Sequence, residues 1–142
     1  MTVKHIPEEG EFFSGYVPVK VQTAHVTIGA ATTNDVVLAE IAAGVPIFNV
    51  TRPIVVYGLW TQTEIAFTSS VTLTVGDTTT ADRFIADTTM NPASTGAVLI
   101  ASTGLSVPYV YSAAQDITVD VGGATVAAGL AHVYLQYAIL ED

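Results

Sequence analysis

The chain has 142 residues, a length that suits one domain. It carries four Lys and Arg against thirteen Asp and Glu, for a formal charge of −9; contact with a nucleic-acid backbone or an anionic membrane surface needs cations, and these are few and scattered at Lys4, Lys20, Arg52 and Arg83. The absence of cysteine excludes disulfides and thiolate metal sites.

Half of the residues are apolar and only 12% are charged. No apolar run reaches the ~18 residues of a membrane-spanning helix, and the first residues lack the apolar core of a secretory signal. A domain this apolar is expected to hide part of its surface against other protein.

Residues 1–15 hold Pro7, Gly10, Gly15 and the run Glu8-Glu9-Gly10-Glu11, poor material for a helix or a central strand. They read as an extended N-terminal arm, with residues 16–142 forming the single sandwich domain. Phe12, Phe13 and Tyr16 make a small aromatic cluster. They either fold back on their own domain or dock on a neighbour, since fifteen extended residues span up to ~50 Å. These three are the candidate partner-binding residues.

Val17 to Ala30 reads as two strand segments whose phase shifts near Gln22-Thr23, as at a bulge or turn. Val36 to Ile41 and Val45 to Val50 are further apolar runs, and Thr51-Arg52-Pro53 makes a corner. Arg52 there is expected to be solvated or paired locally. Ile54 onward, Ile-Val-Val-Tyr-Gly-Leu-Trp, is a nearly continuous apolar run and reads as a strand buried on both faces, with Trp60 in the core. After a turn at Thr68-Ser69-Ser70, Val71, Leu73 and Val75 alternate with Thr72 and Thr74, the period of a half-buried strand.

Gly76 to Thr80 is a turn, and residues 80–87 are expected to form one short helical turn whose Phe84 and Ile85 cover an open end of the sandwich. The last third returns to strands: Ala97 to Ala101, Val107 to Tyr111 behind an edge-marking Pro108, Ile117 to Val121, and Ala131 to Leu140. The final strand is long enough to pair on both edges, with Val133, Leu135, Tyr137 and Ile139 in phase. Nine or ten short strands with regular turn signals predict an all-β, jelly-roll-like β-sandwich.

No catalytic constellation emerges. His5, His25 and His132 sit in no metal-ligand spacing, and there is no Gly-x-Ser-x-Gly elbow. Asp116 and Asp120, four apart in a strand, share a face and read as an exposed polar surface. Gly76-Asp77 and Asp82 offer oxygen ligands without calcium-loop spacing. Gly122-Gly123-Ala124 lacks the lysine and helix of a phosphate loop. No catalytic, cofactor-binding or metal residue is therefore assigned.

Five stretches of the second half together carry a resemblance: Val71-Thr-Leu-Thr-Val-Gly76-Asp77, Ala81-Asp-Arg-Phe84, Tyr109 to Val119, Gly122-Gly-Ala124 and Val133-Tyr-Leu-Gln-Tyr137. In style and order this half resembles the small virion proteins of tailed bacteriophages that decorate or cement the capsid. The resemblance implies a capsid-bound jelly roll or sandwich, often trimeric and without enzymatic activity. The expected partners are the major capsid protein and further copies of the chain, on the capsid surface of a virion assembled in the host cytoplasm. Two other classes fit the same strand pattern. One is a carbohydrate- or receptor-binding module of a tail or spike, displaying Tyr57, Tyr109 and Tyr111; the other is a small cupin-like enzyme, for which the histidine cluster is missing.

Overall fold

A computed structural model describes residues 20–38, 44–68, 70–90, 98–101, 107–123 and 125–140. Among them are ten strands: β1 Val21–Gly29, β2 Val36–Val37, β3 Val45–Val50, β4 Ile54–Ile65, β5 Thr72–Asp77, β6 Ile85–Thr89, β7 Val98–Ala101, β8 Tyr109–Tyr111, β9 Gln115–Gly122 and β10 Leu130–Ile139. One sheet runs β2-β1-β10-β4-β7, with β8 also on β4, and the other runs β3-β9-β5-β6.

β7 and β8 both pair antiparallel with β4, β7 at Trp60 to Thr63 and β8 at Ile54 to Val56, so they are two halves of one interrupted strand. With the short, parallel β2 set aside, the remaining strands alternate between the sheets as a rolled-up hairpin: first beside last, second beside second-last, and so inward. This is the jelly-roll order. β10 pairs on both edges, with β1 and with β4.

Alternation builds the core. Ile28, Val56, Leu59, Ala131, Val133 and Leu135 point inward from one sheet, and Phe48, Leu73, Val75, Ile117 and Val119 from the other, all buried. Phe84 and Ile85 are buried as expected. Phe84 lies edge-on to Tyr109 and Tyr111 with ring centroids 6.3 Å away in each case, closing one end of the sandwich.

Three expectations need correction. No helix forms at 80–87: residues 81–84 are turn and bend, and Ile85–Thr89 is β6, paired with β5. The Asp77 carboxylate takes the amides of Thr79 and Thr80, and the Thr80 carbonyl accepts from the Asp77 amide. Side-chain capture of amides in this way competes with a helical ladder. β1 runs without a break from Val21 to Gly29, each residue in register with β10; the phase change arises because Val21 lies outward while Ala24, Val26 and Ile28 face the core. β4 is not buried on both faces. Its inward residues Ile54, Val56, Leu59, Thr61 and Thr63 are buried, Tyr57 and Glu64 are exposed, and a bulge near Tyr57 shifts the phase. Trp60 is therefore on the outer face, half-buried, rather than in the core.

Two details of the interior can be tested. A Cβ on Gly76 would stand 2.1 Å from the Thr80 carbonyl oxygen and 2.4 Å from the Ala81 carbonyl carbon, whereas one on Gly58 would meet only the Trp60 ring at 3.7 Å. Gly76→Ala should cost about 3 kcal/mol, and Gly58→Ala less than about 1 kcal/mol, in urea unfolding. The Thr61 and Thr63 hydroxyls are buried without a hydrogen-bond partner among the described residues. Thr61→Val keeps the shape and removes an unsatisfied group, so it should raise stability by about 1 kcal/mol.

Candidate functional site

The turn between β5 and β6 is pinned by one carboxylate. Asp77 is buried at the end of β5; Oδ1 accepts the amides of Thr79 (2.9 Å) and Thr80 (2.8 Å), and Oδ2 accepts the Tyr111 hydroxyl at 2.7 Å and the Arg83 Nε. The Arg83 guanidinium also donates to Thr80 Oγ1 at 3.0 Å and lies 4.1 Å above the Tyr109 ring. Burial pushes the Asp77 carboxyl up, but the bonds from Arg83, Tyr111, Thr80 and Thr79 together outweigh it and hold the group below its ordinary range. Burial, then the bond to Asp77, pushes the Tyr111 hydroxyl far up. Both Asp77 oxygens already face donors, so the arrangement is a clamp on the turn rather than a cation site.

The outer face of the β1-β10-β4 layer carries a second arrangement. His25, Tyr134 and Trp60 are aligned in register across the three strands. Trp60 stacks on Tyr134 at 5.5 Å, Tyr134 on His25 at 4.8 Å, and His25 on His132 at 5.1 Å. His25 Nε2 and His132 Nδ1 share a hydrogen bond of 2.9 Å, and His132 Nε2 meets Glu64 Oε2 at 2.6 Å. Strand pairing thus joins two histidines 107 residues apart, an encounter that local spacing gave no sign of. Nearby, Asp35 accepts the Thr27 amide (2.8 Å) and hydroxyl (2.9 Å), which hold it below the usual carboxylate range.

Tyr134 has both ring faces covered by neighbours. A sugar platform needs an open ring face, and Tyr111 is buried while Tyr109 is half-buried beneath Arg83. Of the three tyrosines expected on display, Tyr57 is the exposed one, at 43%.

An apolar row crosses the same outer face near the start of β1: Val21, Ala138, Val55 and Val110 are aligned in register, with Val21 51% and Val110 54% exposed. At this end the two sheets also part to form a cleft of about 170 Å³. Its lining includes Ala24 of β1, Phe48 of β3, Ile54 of β4, and Leu135 and Tyr137 of β10, with Arg52 from the β3–β4 corner. Arg52 is exposed and makes no ion pair among the described residues. Asp116 and Asp120 do share a face of β9; Asp116 accepts from Asn49 Nδ2 at 2.6 Å and Asp120 from the Gly44 amide, so both tie β9 to the β3 side. Among the described residues no three His, Asp or Glu side chains converge as a metal site. The arm, with Phe12, Phe13 and Tyr16, lies outside the described residues.

No protein-family model and no curated protein sequence matches the chain. Among solved structures, it is similar to a chain of the cyanophage Pam1 capsid asymmetric unit, with 16% identity, a TM-score of 0.59, and 95% of this chain and 98% of that chain covered. It also matches a chain of the virus-like particle of the extra small virus of the giant freshwater prawn Macrobrachium rosenbergii, with 11% identity and a TM-score of 0.41, covering 100% of this chain and 92% of that chain. At 16% identity the first likeness is one of fold, and it extends over the whole roll; the second is too distant to carry an argument.

The clamp gives a pH prediction. A carboxyl held below its ordinary value of 3.8 contributes stability that is complete well above that value and is lost as pH falls through the lowered folded value. The wild-type chain should therefore lose more stability between about pH 6 and about pH 3 than Asp77→Asn does, measured by urea midpoints. At neutral pH Asp77→Asn should cost about 3 kcal/mol, because it strands Arg83 beside a neutral amide.

Proposed function

We propose that the chain is a virion structural protein that binds the outside of a capsid shell and stabilises it, working as a homotrimer beside the major capsid protein. The observation that carries this reading is the end-to-end likeness to a component of a phage capsid asymmetric unit, 95% of one chain on 98% of the other. Jelly rolls serve capsids and lectins alike, so the fold alone does not choose between those roles. The clamp at Asp77 and the self-stacked ladder at Tyr134 are structural arrangements, and they support an assembly role over ligand chemistry.

Charge supports the outer surface rather than the genome side. A lining subunit in contact with packaged nucleic acid is expected to supply cations, and this chain has thirteen acidic residues against four basic ones. Of those four, Arg83 is committed to Asp77. The row Val21, Val55 and Val110 supplies apolar surface beyond what the sandwich itself buries. Attachment stabilises a shell by mass action, since it favours the assembled state over the dissociated one.

The test is co-sedimentation with capsids stripped of their outer proteins. The purified chain should pellet with the shells at a fixed stoichiometry and raise the temperature at which they release their contents. Val110→Glu on the exposed row should weaken pelleting by about tenfold or more while leaving the melting of the isolated protein within a few degrees. Pelleting that is unaffected by this change would remove the row from the contact. No pelleting at all would end the capsid reading and move the alternative, a carbohydrate- or receptor-binding module, ahead of it.

A further inference from the structure

The cleft between the sheets joins an apolar floor to one cation, Arg52, and residues 8–16 of the sequence join acidic to aromatic side chains. Phe48, Ile54 and Leu135 give it a buried apolar floor, Ala24 keeps one wall short, and Tyr137 and Arg52 stand at the side. About 170 Å³ is well below the 300–1,000 Å³ that drug-sized ligands or cofactors occupy, but it has room for one large side chain. Arg52 at the lip is exposed, with no ion pair among the described residues. A second basic residue, Lys20, immediately precedes β1, the strand that lends Ala24 to the cleft wall.

Opposite charge and apolar bulk occur together in residues 8–16, Glu-Glu-Gly-Glu-Phe-Phe-Ser-Gly-Tyr. The acidic run directly precedes Phe12-Phe13. We propose that this segment of an adjacent copy docks in the cleft, one phenylalanine on the floor of Phe48, Ile54 and Leu135, and its glutamates facing Arg52 and Lys20.

Reach is sufficient for an adjacent copy to supply this segment, and the cross-linking test below separates it from the chain's own arm. Between Tyr16 and Lys20 stand Val17-Pro18-Val19. The residue before a proline is driven to extended conformations, and β-branched neighbours favour them too. Extended, the nine steps from Val21 back to Phe12 reach about 30 Å, while a compact chain of this length has a radius of gyration of only about 15 Å. The segment can therefore cross to a neighbour. Each arm entering the next cleft is a heterologous contact, which forms a closed ring when the rotation between copies closes, as the proposed homotrimer requires. The inference rests on the homo-oligomer part of the proposed function and is independent of attachment to a shell.

The absence of native cysteine allows a direct test. Two full-length chains are made, one Glu11→Cys and the other Arg52→Cys, and a third carries both changes. On mild oxidation the mixed single variants should give a covalent heterodimer, and the double variant a covalently linked multimer on a non-reducing gel. A double variant that closes only within its own chain, or that gives no cross-link, overturns the proposal. As a second arm, Phe12→Ser with Phe13→Ser should raise the midpoint concentration for dissociation by about tenfold or more in light scattering. These positions lie before the sandwich, so its melting should stay unchanged; an oligomer of undiminished strength would equally overturn the proposal. Capsid co-sedimentation is scored separately, so loss of arm exchange and loss of shell binding are distinguishable.

Discussion

The insertion of β10 between β1 and β4 is the constraint on which the rest of the structure depends. It joins residues 21–29 to residues 130–138 and residues 54–65 to residues 130–139, so the two ends of the described chain meet in the middle of one sheet. The inward side of this strand, Ala131, Val133 and Leu135, is core. Its outward side, His132 and Tyr134, is the centre of the stacked ladder. Its last turn inward, Leu135 and Tyr137, lines the cleft. A one-residue slip would exchange these roles along the entire strand, because side-chain direction alternates with each residue. The contacts are mostly long-range, so the chain must close large loops before the pairing repays them.

Asp77 plays the complementary part at the end of the sandwich. Alternation brings Val75 inward and leaves the next residues to turn the chain toward β6. Gly76 permits the close approach of Thr80 and Ala81, and Asp77 then collects two amides, a guanidinium and a phenol. A buried carboxylate without such partners would cost several kcal/mol; with four donors it becomes a rigid fastening. Arg83 is shared between Asp77 and the Tyr109 face, which links the β5–β6 turn to β8 on the other sheet. Phe84, directly after Arg83, seals the same end. Electrostatics here serves the fold, and the polar groups are saturated by one another.

The chain is acidic, Val21 and Val110 stand exposed at the two ends of an apolar row across one face, and Arg83 is committed to Asp77. Acidity keeps free subunits apart and repels nucleic acid, while local apolar contact and a few matched charges can still direct association. A roll with one apolar end and Arg52 at its lip is suited to making contacts with other proteins, in keeping with the role proposed above.

By itself the sequence determined the class of fold: alternation at Val71, Leu73 and Val75, the long phased run from Ala131, and the Gly, Pro and Asn punctuation between runs carry strand structure in local physics. It also determined the acidity and the burial of Phe84 and Ile85. Residues 80–87 misled because helix propensity is weak and a single side chain, Asp77, redirected the amides that a helix would use. Trp60 misled because an aromatic in an apolar run looks buried, while the bulge near Tyr57 sets which face it occupies. Only the tertiary structure decided which strands meet, and with them the partnership of His25 with His132, the clamp of Asp77 with Tyr111 and the cleft beside Arg52. Each joins residues from separate strands or turns, and in a jelly roll such neighbours are set by strand order, which local periodicity does not encode.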